Sequence, residues 1–413
     1  MKKRILLIGY NFFPEVTGIG KYNGEMMHWL ARKGCDCTVI TAYPYYPYWK
    51  VQEPYFQNRF LYKTENKRFE SGGKLTIYRC PMYIPAQPTG FKRMLLDFSF
   101  LLSAAFKLIQ LIPGPKFDSV ITIAPSFQFG LLGILYKKFR NAKALYHVQD
   151  MQIEAARDLK LIKSKNIVNL LFRTEKYIFD NSDIISSISQ GMISRLEAKA
   201  KKSVLLFPNW VDIDLFYPIC DRAFLKERFG FKAVDKIILY SGAIGEKQGL
   251  ESIIYAANEY KSYNNLVFII CGSGPYKQKL QELAVRLNVQ NINFFPLQPF
   301  DKFNQFLNMA DVHLVIQKIN TSDLVMPSKL TTILAIGGLA VITANKDSSL
   351  YALVHKHHMG LLVEAESQVA LNEGIKLAIS ADTSLMTANA RVYAEENLSI
   401  ESVMGAFKRS INL

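Results

Sequence analysis

Three glycine-bearing turns stand where short apolar runs end, a fourth turn opens a helix at a proline, and glycine at such a place lets backbone N–H groups come close to a ligand. The first is Gly9-Tyr10-Asn11-Phe12-Phe13-Pro14-Glu15-Val16-Thr17-Gly18-Ile19-Gly20, and the second is Ser241-Gly242-Ala243-Ile244-Gly245-Glu246-Lys247-Gln248-Gly249. The third is Cys271-Gly272-Ser273-Gly274-Pro275, and the fourth, Met326-Pro327-Ser328-Lys329-Leu330, opens a helix. A turn at a strand's carboxyl end, followed by a helix start with unpaired N–H groups and a positive dipole end, suits a phosphate; a lysine in it adds a charge-assisted donor. Lys247 and Lys329 are those lysines. The first loop is too long for a dinucleotide fingerprint, and the second lacks the GKS/T core of a phosphate-binding P-loop. Each turn also admits a plain reading as a tight connection, with its lysine exposed.

Other residue types could meet a sugar. Tyr146-His147-Val148-Gln149-Asp150 ends an apolar run and leaves His147 and Asp150 as polar candidates at a strand end; the plain readings are a structural hydrogen bond for His147 and a helix cap for Asp150, and contact with a sugar is what a family resemblance, carried by the turns above, implies for this region. The run Tyr43-Pro44-Tyr45-Tyr46-Pro47-Tyr48-Trp49-Lys50 carries aromatic faces of the kind that bind sugars or sit at membrane interfaces, or pack on their own domain. Asp212-Ile213-Asp214 is the only short D-x-D spacing, and it reads as a turn more than a metal site.

These groups need scaffolds to position them. Short β-branched runs alternate with amphipathic stretches, which predicts repeated βα units and parallel sheets. Strands are expected at 4–8, 37–41, 74–79, 119–123, 143–148, 184–187 and 203–207, and helices at 21–33 and 91–113. The pattern restarts after Pro208, with strands at 236–240, 266–271, 292–294, 312–315 and 340–342 and helices at 250–264, 276–287 and 300–308. Length agrees: 413 residues exceed what one core usually supports. We expect an α/β protein with a first domain over 1–207, a second over 208–383, and a C-terminal helix over 384–413 packing back toward the first.

The chain is 49% hydrophobic and 21% charged, which excludes a disordered chain. Its formal net charge of +15 suits phosphates, anionic lipid or nucleic acid, but no nucleic-acid recognition motif accompanies it, so no nucleic-acid partner is expected. Five cysteines (Cys35, Cys37, Cys80, Cys220, Cys271) form no CxxC pair and read as buried thiols in a reducing compartment. The apolar run after Met1-Lys2-Lys3-Arg4 is too short for a signal-peptide core, which points to the cytoplasm. The stretch from 91 to 113 is apolar but broken by Asp97 and Lys107. It reads as a core helix of the α/β domain or as a helix lying on a bilayer surface.

The four turns in this order resemble the retaining glycosyltransferases of the GT-B fold, family 4, over essentially the whole chain. The runs at 241–251, 207–210, 44–47 and 330–338 look like the branch of that family that assembles bacterial exopolysaccharide and includes fucosyltransferases. The resemblance implies two Rossmann-like domains facing across a cleft, the first for the acceptor and the second for a nucleotide diphosphate sugar. It implies Gly18 and Gly20 beside the donor phosphates and acceptor, and Gly242, Gly245 and Lys247 at the diphosphate, with Gln248 and Gly249 adjoining. Gly272, Gly274, Pro327, Ser328, Lys329 and Thr332 complete the donor side, with Lys247 and Lys329 stabilising the leaving group. It further implies no metal or cofactor, retention of configuration, and a polyprenyl-diphosphate-linked acceptor at the inner face of the plasma membrane. Many members carry two glutamates where this chain has Leu324 and Thr332, so a carboxylate contact to the nucleotide ribose is missing. A sugar-nucleotide epimerase of the same fold, or a catalytically degenerate sugar-nucleotide binder, is the alternative.

Overall fold

The structure, a computed structural model, describes residues 2–15, 18–124, 126–151, 165–318 and 327–411, and of Lys165, Ile167 and Lys247 the backbone alone. It divides into two units: Met1–Ile188 with Ile193–Phe207 and Phe407–Leu413, and Ser189–Met192 with Pro208–Ala406.

The first unit is built on β1 (Arg4–Ile8), β2 (Asp36–Ala42), β3 (Lys63–Arg68), β4 (Lys74–Cys80), β5 (Ser119–Ala124), β6 (Lys143–Val148), β7 (Ile184–Ser187) and β8 (Val204–Leu206). They lie in the order β3-β4-β2-β1-β5-β6-β7-β8, parallel throughout except for β3 against β4. The interior strands are apolar along their whole length because helices cover both faces; every residue of β5 is buried. The edge strand β3, KTENKR, was not expected, and its composition explains why. Five of its six residues are exposed and four are charged, which suits an edge protected from further pairing and hides it from a search for apolar runs.

Helices α1 (Gly18–Arg32), α2 (Gly90–Leu111), α3 (Phe129–Arg140), α4 (Lys165–Asn181) and α5 (Gln190–Ala200) follow. In α2 the buried residues Leu96, Phe100, Ala104 and Leu108 recur every four positions, which docks one stripe on the sheet. Phe91, Met94, Leu95, Phe98, Leu102, Phe106 and Ile109 stay exposed on the rest of its surface. The helix is therefore neither a core helix nor a polar surface helix. By length and composition it could cross a bilayer, but its stripe is committed to the first unit.

The second unit holds β9 (Lys236–Ser241), β10 (Leu266–Cys271), β11 (Ile292–Phe295), β12 (Val312–Val315), β13 (Ala340–Thr343) and β14 (Leu361–Val363), all parallel, in the order β11-β10-β9-β12-β13-β14. Its helices are α6 (Arg222–Arg228), α7 (Glu251–Glu259), α8 (Lys277–Arg286), α9 (Phe300–Asn308), α10 (Ser328–Ala335), α11 (Ser349–His357), α12 (Gln368–Ser380), α13 (Ser384–Tyr393) and α14 (Ile400–Ser410). Successive residues of β9 go to opposite faces: Ile237 and Leu239 join one core, Ile238 and Tyr240 the other. The order reverses direction between β9 and β12, as it does between β1 and β5 in the first unit. Ligands of open α/β sheets bind at the carboxyl ends of such strand pairs.

The C-terminal segment was expected to pack toward the first domain as one piece. Residues 384–406 instead belong to the second unit, where the Val211 N–H donates to Leu398 O at 2.8 Å and the Arg391 guanidinium reaches Phe216 O at 2.9 Å. Residues Phe407–Leu413 belong to the first, with the Phe407 ring stacked 3.7 Å from that of Phe207. The reach of Arg391 to carbonyls that helix periodicity does not reveal fixes α13 to its own domain.

Candidate functional site

The second unit places a cation at the reversal of strand order. Lys329, in the first turn of α10, sets its Nζ 3.7 Å from the centroid of the Tyr240 ring at the end of β9. The same amine lies 3.1 Å from where a Cβ on Gly242 would stand, so a side chain at 242 would displace it. The Tyr240 hydroxyl donates to Ala243 O at 2.8 Å, which ties the ring to the turn beside the lysine. Burial lowers the Lys329 pKa to about 7, because an ammonium loses hydration there. Among the described residues no carboxylate pairs with it. A desolvated amine, held on an aromatic face at a glycine turn and a helix N-terminus, has the chemistry to receive an anion, whose arrival would restore its charge.

Ser328 is exposed beside Lys329 on the first turn of α10, Pro327 precedes it, and Thr332 is half-buried one turn on. Lys247 lies in a short 3-10 turn, Glu246–Gln248, between Gly245 and Gly249; its side chain lies outside the described residues, as do Leu324 and Met326. Next to this turn a cavity of about 180 Å³ opens at the carboxyl ends of β12 and β13, lined by Gln248, Gly249, Ser252, Gln317, Thr343 and Gln368 among others. Gln248 and Gln317 each bury a side-chain oxygen with no hydrogen-bond partner. Sequence reasoning found Gln248 but neither Tyr240 nor Gln317. Tyr240 sits in an apolar strand and reads as core, and nothing in the sequence near Gln317 marks it.

Several glycines have reasons internal to the fold. A Cβ on Gly272 would collide with Gly242 O, and one on Gly274 with Ile244 O. The two turns stack backbone on backbone, the Gly242 N–H donating to Cys271 O and the Ile244 N–H to Ser273 O, each at 3.0 Å. Gly272 and Gly274 thus shape the turn that holds Lys329 in place, whatever else they touch. Gly20 was expected beside a phosphate, yet a side chain there would strike the carboxylate of Glu15. Glu15 is 2% exposed; burial raises its pKa while its Oε1 accepts the N–H groups of Tyr45 and Tyr46 at 3.0 and 2.9 Å. The Glu15 carboxyl group therefore gives Gly20 a reason internal to the fold, whatever its backbone meets. Gly18 is exposed, with φ +60°, a conformation that itself favours glycine.

His147 was a candidate for sugar contact or acid–base work. It is 2% exposed inside β6, its Nδ1 lies 2.9 Å from Ser186 Oγ, and its ring packs 5.0 Å from that of Phe207. Burial lowers its pKa to about 3, so at neutral pH it is an uncharged structural hydrogen-bonder between strands and meets no substrate. Asp150 is exposed two residues beyond β6; the helical segment it was expected to precede, with Ala155, Ala156 and Leu159, lies outside the described residues. Asp212 Oδ1 accepts the N–H groups of Asp214 and Leu215, each at 3.0 Å, so the D-x-D is a capped turn. The cysteines are all free; four are buried, but Cys220 is exposed, against expectation. It lies in the connection before α6, where no apolar periodicity locates a core position.

Two α/β units of this topology are those of the GT-B class of glycosyltransferases. Residues 221–396 match the family model described as glycosyl transferases group 1, and residues 17–210 that of a glycosyl transferase 4-like domain. WcaI of Escherichia coli (strain K12), named for glycosyl transfer in colanic acid biosynthesis, is 40% identical over 99% of each chain. The chain belongs to glycosyltransferase family 4 and acts on nucleotide sugars. Sucrose-phosphate synthase from Thermosynechococcus elongatus shares the fold with TM-score 0.74 at 15% identity, covering 100% of this chain and 98% of that one. HepE of Anabaena, solved with UDP and glucose, does so with TM-score 0.67 at 13% identity over 99% of each.

Proposed function

We propose that the protein is a retaining, metal-independent hexosyltransferase of exopolysaccharide synthesis that moves a sugar, with fucose the first candidate, onto a polyprenyl-diphosphate-linked oligosaccharide. The observation that carries this reading is the Lys329 amine against Gly242 and Tyr240 at the start of α10. Departure of a nucleoside diphosphate leaves negative charge on the β-phosphate while the sugar becomes oxocarbenium-like. Fixed cations and preorganised N–H groups aimed at that charge stabilise the transition state more than the ground state. Lys329 and Lys247 supply the cations; Gly242, Gly245 and the N–H groups at Ser328 supply the rest. Metal independence is supported by the commitment of Asp212 to its own turn. The acceptor reading is supported by 40% identity to a relative named for colanic acid biosynthesis, and by α2. Its exposed Phe91, Met94, Phe98, Leu102, Phe106 and Ile109, with Lys92 and Arg93 exposed near its start, suit a helix lying in the headgroup region of an anionic bilayer at the cytoplasmic face.

The test is incubation with UDP- and GDP-sugars and a lipid-linked acceptor, with and without EDTA. We expect a glycosylated product that retains anomeric configuration, free nucleoside diphosphate, and no effect of the chelator. Lys329→Ala and Lys247→Ala each lower kcat by about 10²-fold or more, the scale of one lost oxyanion donor. Wild-type turnover in both variants, or release of an epimerised sugar without transfer, overturns the reading.

A further inference from the structure

A second carboxyl group, half-buried and used by nothing described so far, lies at the strand reversal of the first unit. Asp97 sits midway along α2, and Ser126, just beyond β5, donates from Oγ to its Oδ1 at 2.7 Å. The Tyr10 hydroxyl, from the loop after β1, lies 2.9 Å from Ser126 Oγ. Ser126 and Tyr10 have one hydroxyl proton each, so with the serine's on Asp97 the tyrosine's is shared between Ser126 Oγ and the Asp97 carboxylate. The side chains of Tyr10 and Gln128 also hydrogen-bond Asp97. α2 thus places a carboxylate between the loops that leave β1 and β5, where the sheet opens.

Docking does not require this charge. Leu96, Phe100, Ala104 and Leu108 already hold the helix, and an amide would accept the same serine proton. Burial raises the Asp97 pKa to about 6, so ionisation at neutral pH opposes folding. The charged and titratable groups facing it are Arg93 on its own helix, Tyr10, and Tyr45 from the loop after β2. Arg93 makes no tight pair with it: the guanidinium lies over the Trp49 ring, 5.3 Å from its centroid. Asp97 is half-buried, so one side remains open.

We propose that Asp97, positioned by the buried Tyr10 and Ser126, takes a hydroxyl group of the acceptor sugar at the carboxyl ends of β1 and β5. The inference rests on the transferase reading, and it gives α2 two roles, with lipid on one face and the acceptor's sugar at Asp97.

The test uses the full-length protein, saturating donor sugar, and a panel of alkyl glycosides as acceptors. Asp97→Asn raises the acceptor KM about tenfold or more and leaves the donor KM within about twofold. In the wild type the acceptor KM rises roughly tenfold from pH 7 to pH 5, as the ionised fraction falls from about nine-tenths to about one-tenth; in Asp97→Asn it is flat. Tm at pH 8 is no lower in Asp97→Asn than in the wild type, whereas a purely structural carboxylate would lose Tm. Tyr10→Phe, which keeps the ring, raises the acceptor KM in the same direction. An unchanged acceptor KM and pH profile in Asp97→Asn, or equal rises in both KM values with a lowered Tm, overturns the inference alone. Failure of the wild type to bind UDP or GDP by calorimetry overturns the transferase reading and this inference with it.

Discussion

Lys329 is held in a state that opposes its own charge. Its folded pKa of about 7 lies below its ordinary value of 10.5, so between those values the unfolded chain binds more protons than the folded one. Stability of the unliganded protein therefore rises with pH from about 7 toward 10, and Lys329→Met removes that slope and raises Tm at pH 7; calorimetry across this range checks both. Function runs the other way. On the proposed reading the protonated amine receives the diphosphate, so affinity for UDP or GDP is expected to fall as pH climbs through about 7, and that fall to be absent in Lys329→Met. Glu15 and Asp97 have the opposite pH dependence: burial raises both, so the folded carboxyl binds more protons than the unfolded one and the stability they cost grows as pH rises. These buried charges lie at the strand reversals, where a stability optimum gives way to ligand binding. His147 is the contrast: its neutral form is the stable one and its partner Ser186 satisfies it, so its burial calls for no ligand.

At the scale of elements, α2 separates packing from surface chemistry along one helix. Phe100 is fully buried and Phe98 is 56% exposed. Phe100→Ala therefore destabilises by about 3–5 kcal/mol, read by urea unfolding. Phe98→Ser with Phe106→Ser leaves stability within about 0.5 kcal/mol, since both side chains sit in solvent. The same pair lowers binding to phosphatidylglycerol vesicles about tenfold or more in a flotation assay. Equal flotation of wild type and double variant would remove the membrane reading of this helix. Leu101 is a poor choice for that test because it packs against the core below α2. The turns after β9 and β10 form the other informative pair of elements. Their glycines permit backbone-to-backbone stacking, so the shape of the anion receptor depends on a strand pairing as well as on the lysine.

At the scale of the whole molecule, each unit has its own sheet and core, and the donor groups Gly242, Gly245, Lys247 and Lys329 all belong to the second. UDP or GDP is expected to slow amide hydrogen exchange at 241–249 and 328–335 and to leave β3 and β4 unchanged, as read by mass spectrometry. Protection confined to the first unit would place the nucleotide elsewhere.

The sequence by itself determined the parallel α/β class, the restart near Pro208, the three glycine turns and the helix start at Pro327, and strands such as Arg4–Ile8, Lys143–Val148 and Leu266–Cys271, whose bounds coincide with expectation. Those features are local, because a buried parallel strand must be apolar throughout and a turn must carry glycine or proline where the backbone demands it. The tertiary structure alone decided which turn faces a lysine and which faces another turn or a glutamate. It also buried His147, exposed one face of α2, assigned residues 384–406 to the second unit, and brought Tyr240 beneath Lys329 and Asp97 beside Ser126. Most of these depend on contacts between residues 29 to 187 positions apart or on which side of a sheet a side chain falls. Composition and spacing carry neither quantity, and packing fixes both.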